Sequence, residues 1–445
     1  MKNAVSGLGL APDAAMVTFP IDAFLPGSDI SAVEARKNEF YDGLTRWQSG
    51  FAQSGDSAAM LSVEGATYED ALYKANHLLL TNLWADGLPV YPPTRERVDW
   101  MLRGAVLPRT HVLGKFPPRG GVTTVETCAI ALTMAGGRPE YLPVLIAAVE
   151  ACLDPVMNFD QQQATSGAPF PVVIVNGPIA KEIRLNSGFG CLGPDPQQPA
   201  GASIGRALRL LQQNVGGAVP GVGTMAIWGA MRYTNAVFAE AEADLPEGWQ
   251  PYATARHGYA PGTNAVSVMF ASGVTNIRRR GAKKETPEED IEQGLWRMAD
   301  YMRTPNIAAL MGWVNGTPGV MLVPPVVAGM MAKLGWTQRK LREFLWQNSK
   351  IPLAQLKRAG ALSWFEIEAN PVTRESAKMD PWPVTMKPEN ITFVVAGGSH
   401  PTHAQWLQSS GHAVLGRQIR VPESFDRLLA EADRDLGCAA DECRI

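Results

Sequence analysis

The chain has 445 residues, 46% hydrophobic and 19% charged, with a net charge of −3. That length suits two or three packed units of roughly 100–200 residues each, and a chain this long buries a core without disulfide or metal staples. The charge balance argues against a nucleic-acid partner, which calls for a basic face, and no run approaches the ~18 apolar residues of a membrane span.

Residues 1–65 carry Pro12, Pro20 and Pro26 and read as an N-terminal arm, with one helix from Ser31 to about Ser49. Arms of this kind wrap a partner subunit, so a homo-oligomer is expected. The first twenty residues lack a charged segment followed by an apolar one, so no secretory leader is expected. The five cysteines are then expected as free thiols in the reducing cytoplasm, with Cys438 and Cys443 in a polar tail.

Thr67-Tyr68-Glu69-Asp70 opens a helix with acids in its first turn, running to Trp84. A mainly helical lobe is expected over 66–165. Asp86-Gly87 turns, Leu88 to Pro93 is extended as residues before proline prefer, and Thr94 caps a helix to Arg103. Glu126–Ala135 and Glu140–Leu153 are apolar enough to be buried helices.

The main lobe is expected over 166–445. Four apolar runs predict strands: Pro171–Val175, Ala265–Phe270, Gly319–Val323 and Ile391–Val395. Continuous apolar runs suit strands covered on both faces. Helices over Ser203–Gln213, Glu288–Tyr301, Val326–Leu334, Thr337–Asn348 and Glu423–Leu436 supply that cover. The expected fold is α/β or α+β, an irregular mixed sheet with helices on both faces and a Gly/Pro-rich crevice at the strand ends, where ligands of such sheets gather. No repeat of fixed period exists, but Asn176-Gly177-Pro178, Pro324-Pro325 and Ala396-Gly397-Gly398 end their strands alike, which hints at two related halves.

No P-loop, no dinucleotide fingerprint and no His-Glu-x-x-His occurs, and six histidines make a His-rich metal site improbable, so neither a nucleotide nor a metal cofactor is expected. Gly201-Ala202-Ser203-Ile204-Gly205 has nucleophile-elbow spacing, but no strand precedes it. Ser203 reads as an N-cap, and the helix start, with Arg206 one turn in, suits an anion. The loop Asn186-Ser187-Gly188-Phe189-Gly190-Cys191 offers a backbone cradle nearby. Arg119, before Gly120-Gly121, is a second anion clamp. Thr124, Glu126 and Cys128 stand at a helix start, where a thiol is activated and an adjacent carboxylate opposes that activation. His257 is a loop imidazole suited to acid/base work. Ser399 and His400 follow the last strand as substrate contacts. Arg278-Arg279-Arg280 to Lys284 reads as a solvated loop before an acidic helix start.

The segment Trp84-Ala85-Asp86-Gly87-Leu88-Pro89-Val90-Tyr91-Pro92-Pro93-Thr94 resembles an aromatic-x-Asp-Gly-Leu-Pro-x-x-Pro-Pro-Thr stretch of a bacterial family associated with U-G-S-C thiol or selenol proteins. The resemblance continues through Thr124-Val125-Glu126, Pro139-Glu140-Tyr141-Leu142-Pro143, Val175-Asn176-Gly177-Pro178, Asn186-Ser187-Gly188 and Asn214-Val215-Gly216-Gly217-Ala218, over roughly residues 67–400. It implies thiol-linked redox chemistry with a separate thiol or selenol partner protein. The chain lacks U-G-S-C and Cys-Gly-Ser-Cys; its nearest match, Phe189-Gly190-Cys191-Leu192, has one sulfur.

Three readings stay open. The first is an enzyme using acid/base chemistry on a small anionic, carboxylate-like molecule, of lyase, hydratase or isomerase type. Arg119 and Arg206 hold the anion, Asn176, Asn186 and loop amides polarise it, and Glu126 or His257 moves the proton. The second is a thiol-dependent oxidoreductase subunit using Cys128 or Cys191. The third is a non-catalytic scaffold subunit.

Overall fold

The computed structural model describes residues 27–46, 60–229, 234–279, 286–303, 317–362, 374–375, 378–410 and 413–437. Contacts divide the chain into Met1–Leu88 and Pro89–Ile445. The first unit contains helices Ser31–Ala35, Lys37–Thr45 and Tyr68–Thr81, the last capped by the Thr67 hydroxyl, which accepts from Asp70 N (3.2 Å). Most of the N-terminal arm and the C-terminal cysteines lie outside the described residues. Among those described, no helix is long and apolar enough to cross a membrane.

From Pro89 the chain is α/β. The helices Val125–Met134 and Leu142–Cys152, expected in a lobe of their own, instead belong to the same unit as the sheet. A small hairpin, β1 (Val112–Phe116) and β2 (Gly121–Thr124), precedes a seven-stranded mixed sheet. Its strands are β3 (Phe170–Asn176), β4 (Ala236–Ala239), β5 (Ala265–Arg278), β6 (Gly319–Val323), β7 (Thr392–Val395), β8 (His403–Ser409) and β9 (Leu415–Gln418). All four predicted strands are present. β4, β8, β9 and the second half of β5 were not legible as strands.

The order β4-β3-β5-β8-β6-β7 reads the same from both ends. In each half the first strand pairs parallel with the second and antiparallel with the third: β3 with β4 and β5, β6 with β7 and β8. β5 and β8 join the halves antiparallel. The two related halves hinted at by the strand endings are therefore a duplicated topology.

The sheet curls until its edge strands meet at their C-terminal ends. Ala241 N, just past β4, donates to Val395 O of β7 (2.8 Å). Alternate residues of all six ordered strands, among them Val172, Ile174, Phe238, Met269, Leu322, Val394 and Leu407, form one cluster on the concave side. Their neighbours Met321, Val323, Phe393 and Trp406 point outward to the helices Pro287–Met302, Pro325–Lys333 and Gln338–Asn348. A continuous apolar run is what a strand covered on both faces needs.

Two expectations change here. The helix after the Asn186–Pro194 loop starts at Ala200, not Ser203; Ser203 lies inside it, buried, and does not cap it. The Gly-x-Ser-x-Gly spacing has a packing cause: a Cβ on Gly205 would lie 1.8 Å from Thr234 O, and one on Gly201 2.5 Å from Val237 O. Two glycines one turn apart let the helix backbone close on β4. Arg279, placed by sequence in a solvated loop, is fully buried against Asp290; residues 280–285 of that run lie outside the described residues.

Candidate active site

The parallel pairs β3/β4 and β6/β7 both run out at the place where the sheet closes. β3 delivers Asn176 as its last residue. Gly177 turns the chain away at φ +90°, with Asn264 Oδ1 2.5 Å from where its Cβ would stand. β4 delivers Glu240, whose amide donates to Val175 O (3.1 Å).

Glu240 is 5% exposed, yet lines a cavity of about 510 Å³. Its Oε2 accepts from Asn176 Nδ2 and from Tyr252 N, both at 2.6 Å; among the described residues its Oε1 accepts only from the Val395 amide, at 3.5 Å. Burial pushes its carboxyl from 4.5 up to about 7; the Tyr252 amide and Asn176 act against that shift, and the neighbouring Glu242 carboxylate adds to it. Removing a charged group from water favours its neutral form, so near neutral pH Glu240 exists in both protonation states. Glu242 Oε1 accepts from Asn176 Nδ2 and Gly177 N, each 2.7 Å.

The opposite wall is the Asn186–Pro194 loop. Asn186 Oδ1 accepts from Gly188 N (2.7 Å), while Nδ2 donates to Phe189 O and Asp195 Oδ2 (2.8 Å each). Its carbonyl takes the Ala239 amide, and the Ser187 carbonyl takes the Gly397 amide, so the loop is stitched to the ends of both parallel pairs. A second cavity of about 530 Å³, lined by Asn186, Ser187, Asp195 and Ser399, shares Ser187, Gln197, Gln198, Ala241 and Asp244 with the first. Together they form one crevice at the strand ends.

The residues singled out in the sequence divide. Asn186, Ser187 and Ser399 come together at this crevice; Asn176 lines neither of its cavities and reaches it only by donating to Glu240 and Glu242. Cys191 lines a third cavity next to it. Thr124, Glu126, Cys128, Arg119, Ser203, Arg206, His257 and His400 line none of the three cavities, while His403 lines the third. Thr124 caps its helix, accepting from Thr127 N (3.2 Å), with Thr127 Oγ1 answering from Thr124 N (2.9 Å). Glu126 is ion-paired with Arg109, which also holds Asp99. Arg119 donates to Val222 O (3.1 Å) and Arg206 to Pro89 O (2.9 Å). His400 and His403 both hydrogen-bond the Thr402 hydroxyl.

His257 does not fit a general base. Burial, then the Arg256 charge, lowers its imidazole to about 4, and its Nε2 sits 3.0 Å from the hydroxyl of Ser267, a fully buried residue of β5. Cys128 does not fit an activated nucleophile. It is wholly buried in the core, and burial, with the Glu150 charge, raises its thiol. Burial likewise lifts Cys152 to about 12 and Cys191 to about 11. We therefore expect a thiol reagent at pH 8 to leave these three unmodified in the native protein and to label them on denaturation, since the thiolate is the reacting species. Native labelling of Cys128 or Cys191 at free-thiol rates, resolved by peptide mass spectrometry, would contradict this.

Glu240, Glu242 and Asp244 were missed in the sequence. Their signal was an acid directly after the short apolar run Ala236–Ala239, and that run is too brief to announce a strand. A comparison with known protein families, curated proteins and solved structures found no match.

Proposed function

We propose that this protein is an enzyme that moves a proton on a small molecule held in the crevice, with Glu240 as the general acid/base, in chemistry of lyase, hydratase or isomerase type. One observation carries the reading: a buried carboxyl, raised to about 7, at the C-terminal ends of parallel strands and on a cavity wall. Strongly shifted groups in clefts mark functional sites, and a carboxyl titrating near working pH both takes and gives a proton effectively. Oε2 is anchored by two short hydrogen bonds, so Oε1 is the oxygen that exchanges the proton.

This reading keeps the acid/base chemistry expected from the sequence and moves it from Glu126 and His257 to Glu240. The anion preference rested on Arg119 and Arg206, and neither lines the crevice. The thiol route implied by the family resemblance draws no support from three buried, protonated cysteines.

The test is a metabolite extract incubated in D₂O with the protein and followed by mass spectrometry. A proton-moving enzyme leaves deuterium in particular metabolites or converts them, and Glu240→Gln does not. If no metabolite changes in mass or amount with the native protein, the enzymatic reading is wrong.

A further inference from the structure

The two halves of the sheet differ in how their concave faces are filled. Glu240 N donates to Val175 O and Ala396 N donates to Val323 O, each at 3.1 Å. By this shared bond Val323 stands where Val175 stands, and Leu322 where Ile174 stands. Ile174 pairs with Ser267 of β5, and Leu322 pairs with Gln405 of β8. Ser267 and Gln405 are therefore counterparts too.

In the first half the chain between β4 and β5 is long and carries a helix, Tyr252–His257. That helix covers Ser267. His257 Nε2 lies 3.0 Å from the Ser267 hydroxyl, and Tyr252 belongs to the concave cluster. In the second half only residues 396–402 join β7 to β8, and they hold no helix. Where the first half places His257 over Ser267, the second half has a cavity of about 410 Å³ beside Gln405.

Cys191, Leu322, Pro324 and Ala396 wall this cavity, and His403 and Gln405 line it from β8. Side chains alternate along a strand, so His403 and Gln405 share the face of Leu407, which is buried in the concave cluster. His403 Nδ1 meets the Thr402 hydroxyl at 2.7 Å. Its Nε2 and the Gln405 side-chain amide have no partner among the described residues. No Asp, Glu, Lys or Arg is among the described residues that line the cavity. An ion placed there would lose water without gaining a counter-charge. Apolar walls with a few polar groups are the usual form of a small-molecule site.

We propose that this cavity binds a small, uncharged, largely apolar molecule with one hydroxyl head. The head lies against Gln405 and His403, and the carbon body against Leu322 and Ala396. The ligand does in the second half what the Tyr252–His257 helix does in the first. The cavity shares Gly188 and Gly397 with the 530 Å³ cavity, so it opens beside the crevice. It shares no described lining residue with the cavity that holds Glu240, so its occupancy is independent of the proton chemistry.

The experiment titrates the full chain by calorimetry with propan-1-ol, butan-1-ol, hexan-1-ol and octan-1-ol, and with the amines and carboxylates of matching length. Alcohol affinity is expected to rise about fourfold per added methylene, with both charged series binding about tenfold more weakly or worse. Gln405→Met keeps the size of the side chain and removes its hydrogen bond. It should weaken every alcohol alike, by about threefold to tenfold. Two further variants fill the cavity. Ala396→Leu grows from its wall, and Gly193→Leu from its exposed rim, where a Cβ meets nothing closer than Gly190 O at 3.7 Å. Each should flatten the alcohol series, and the rim variant leaves the sheet untouched. A flat alcohol series in the native protein, or charged heads binding as tightly as hydroxyls, overturns the proposal. So does alcohol binding that persists undiminished in Gly193→Leu and Ala396→Leu, because the alcohols would then lie elsewhere on the molecule.

Discussion

Glu240→Gln is expected to lower the rate of deuterium exchange by about 10²–10⁴-fold, the usual contribution of a positioned acid or base, while the fold persists. Glutamine keeps an oxygen for the Asn176 and Tyr252 donors at Oε2 and places its amide nitrogen at Oε1, which accepts from the distant Val395 amide at 3.5 Å. The same change alters stability with a predictable sign. Below pH 4.5 the carboxyl is protonated both folded and unfolded, so it imposes no penalty. As pH rises through the folded value of about 7, the unfolded chain ionises more readily and the native state loses roughly 3 kcal/mol from this group. The variant should lose that slope, so urea midpoints measured at pH 5 and pH 8.5 should differ less in Glu240→Gln than in the native protein. An equal rate in the variant would remove Glu240 from the chemistry.

Arg279→Ala is expected to destabilise the protein by about 3–5 kcal/mol, because it leaves Asp290 as a buried charge without its partner. Arg279 and Asp290 are 0% and 1% exposed in their side chains and meet at 2.7 Å. The guanidinium also donates to Asp290 O (3.1 Å) and, from Nε and a terminal nitrogen, to Pro401 O (2.9 and 2.6 Å). One side chain thus ties the end of β5 to the helix Pro287–Met302 and to the start of β8. Arg279→Met combined with Asp290→Leu should recover much of the loss, since removing both charges together leaves neither one stranded. Urea denaturation of the three proteins checks the order; a single variant as stable as the native chain would show the pair to be dispensable.

Arg279 also shows where sequence reading stops. Within Arg278-Arg279-Arg280 the ordinary expectation is solvent, and only tertiary pairing with Asp290 marks one arginine as core. The strands that sequence revealed, β3, β6, β7 and the first half of β5, are buried on both faces and read as unbroken apolar runs. β8 alternates exposed His403, buried Ala404 and half-exposed Gln405, and β4 has four residues, so neither carries a run long enough to stand out. Missing β4 meant missing Glu240, since the rule that ligands gather at strand ends cannot be applied to an unseen strand. Asn176 was found because a turn residue at the end of a strand is visible without the partner strand, and Asn186 and Ser187 because they open a glycine-rich loop that leads into a helix. The capping reading of Ser203 failed because proline and glycine before it looked like loop, whereas the helix begins directly after Pro199.

The most direct test of the account is the titration of Glu240 itself, followed by carbon-13 NMR of glutamate-labelled protein, with Glu240→Gln to assign the signal. A side-chain carboxyl titrating near pH 7 and missing from the variant is the predicted result. If every glutamate titrates below about pH 5, within the ordinary range for an exposed carboxyl, Glu240 is not held for proton transfer and the proposed chemistry fails.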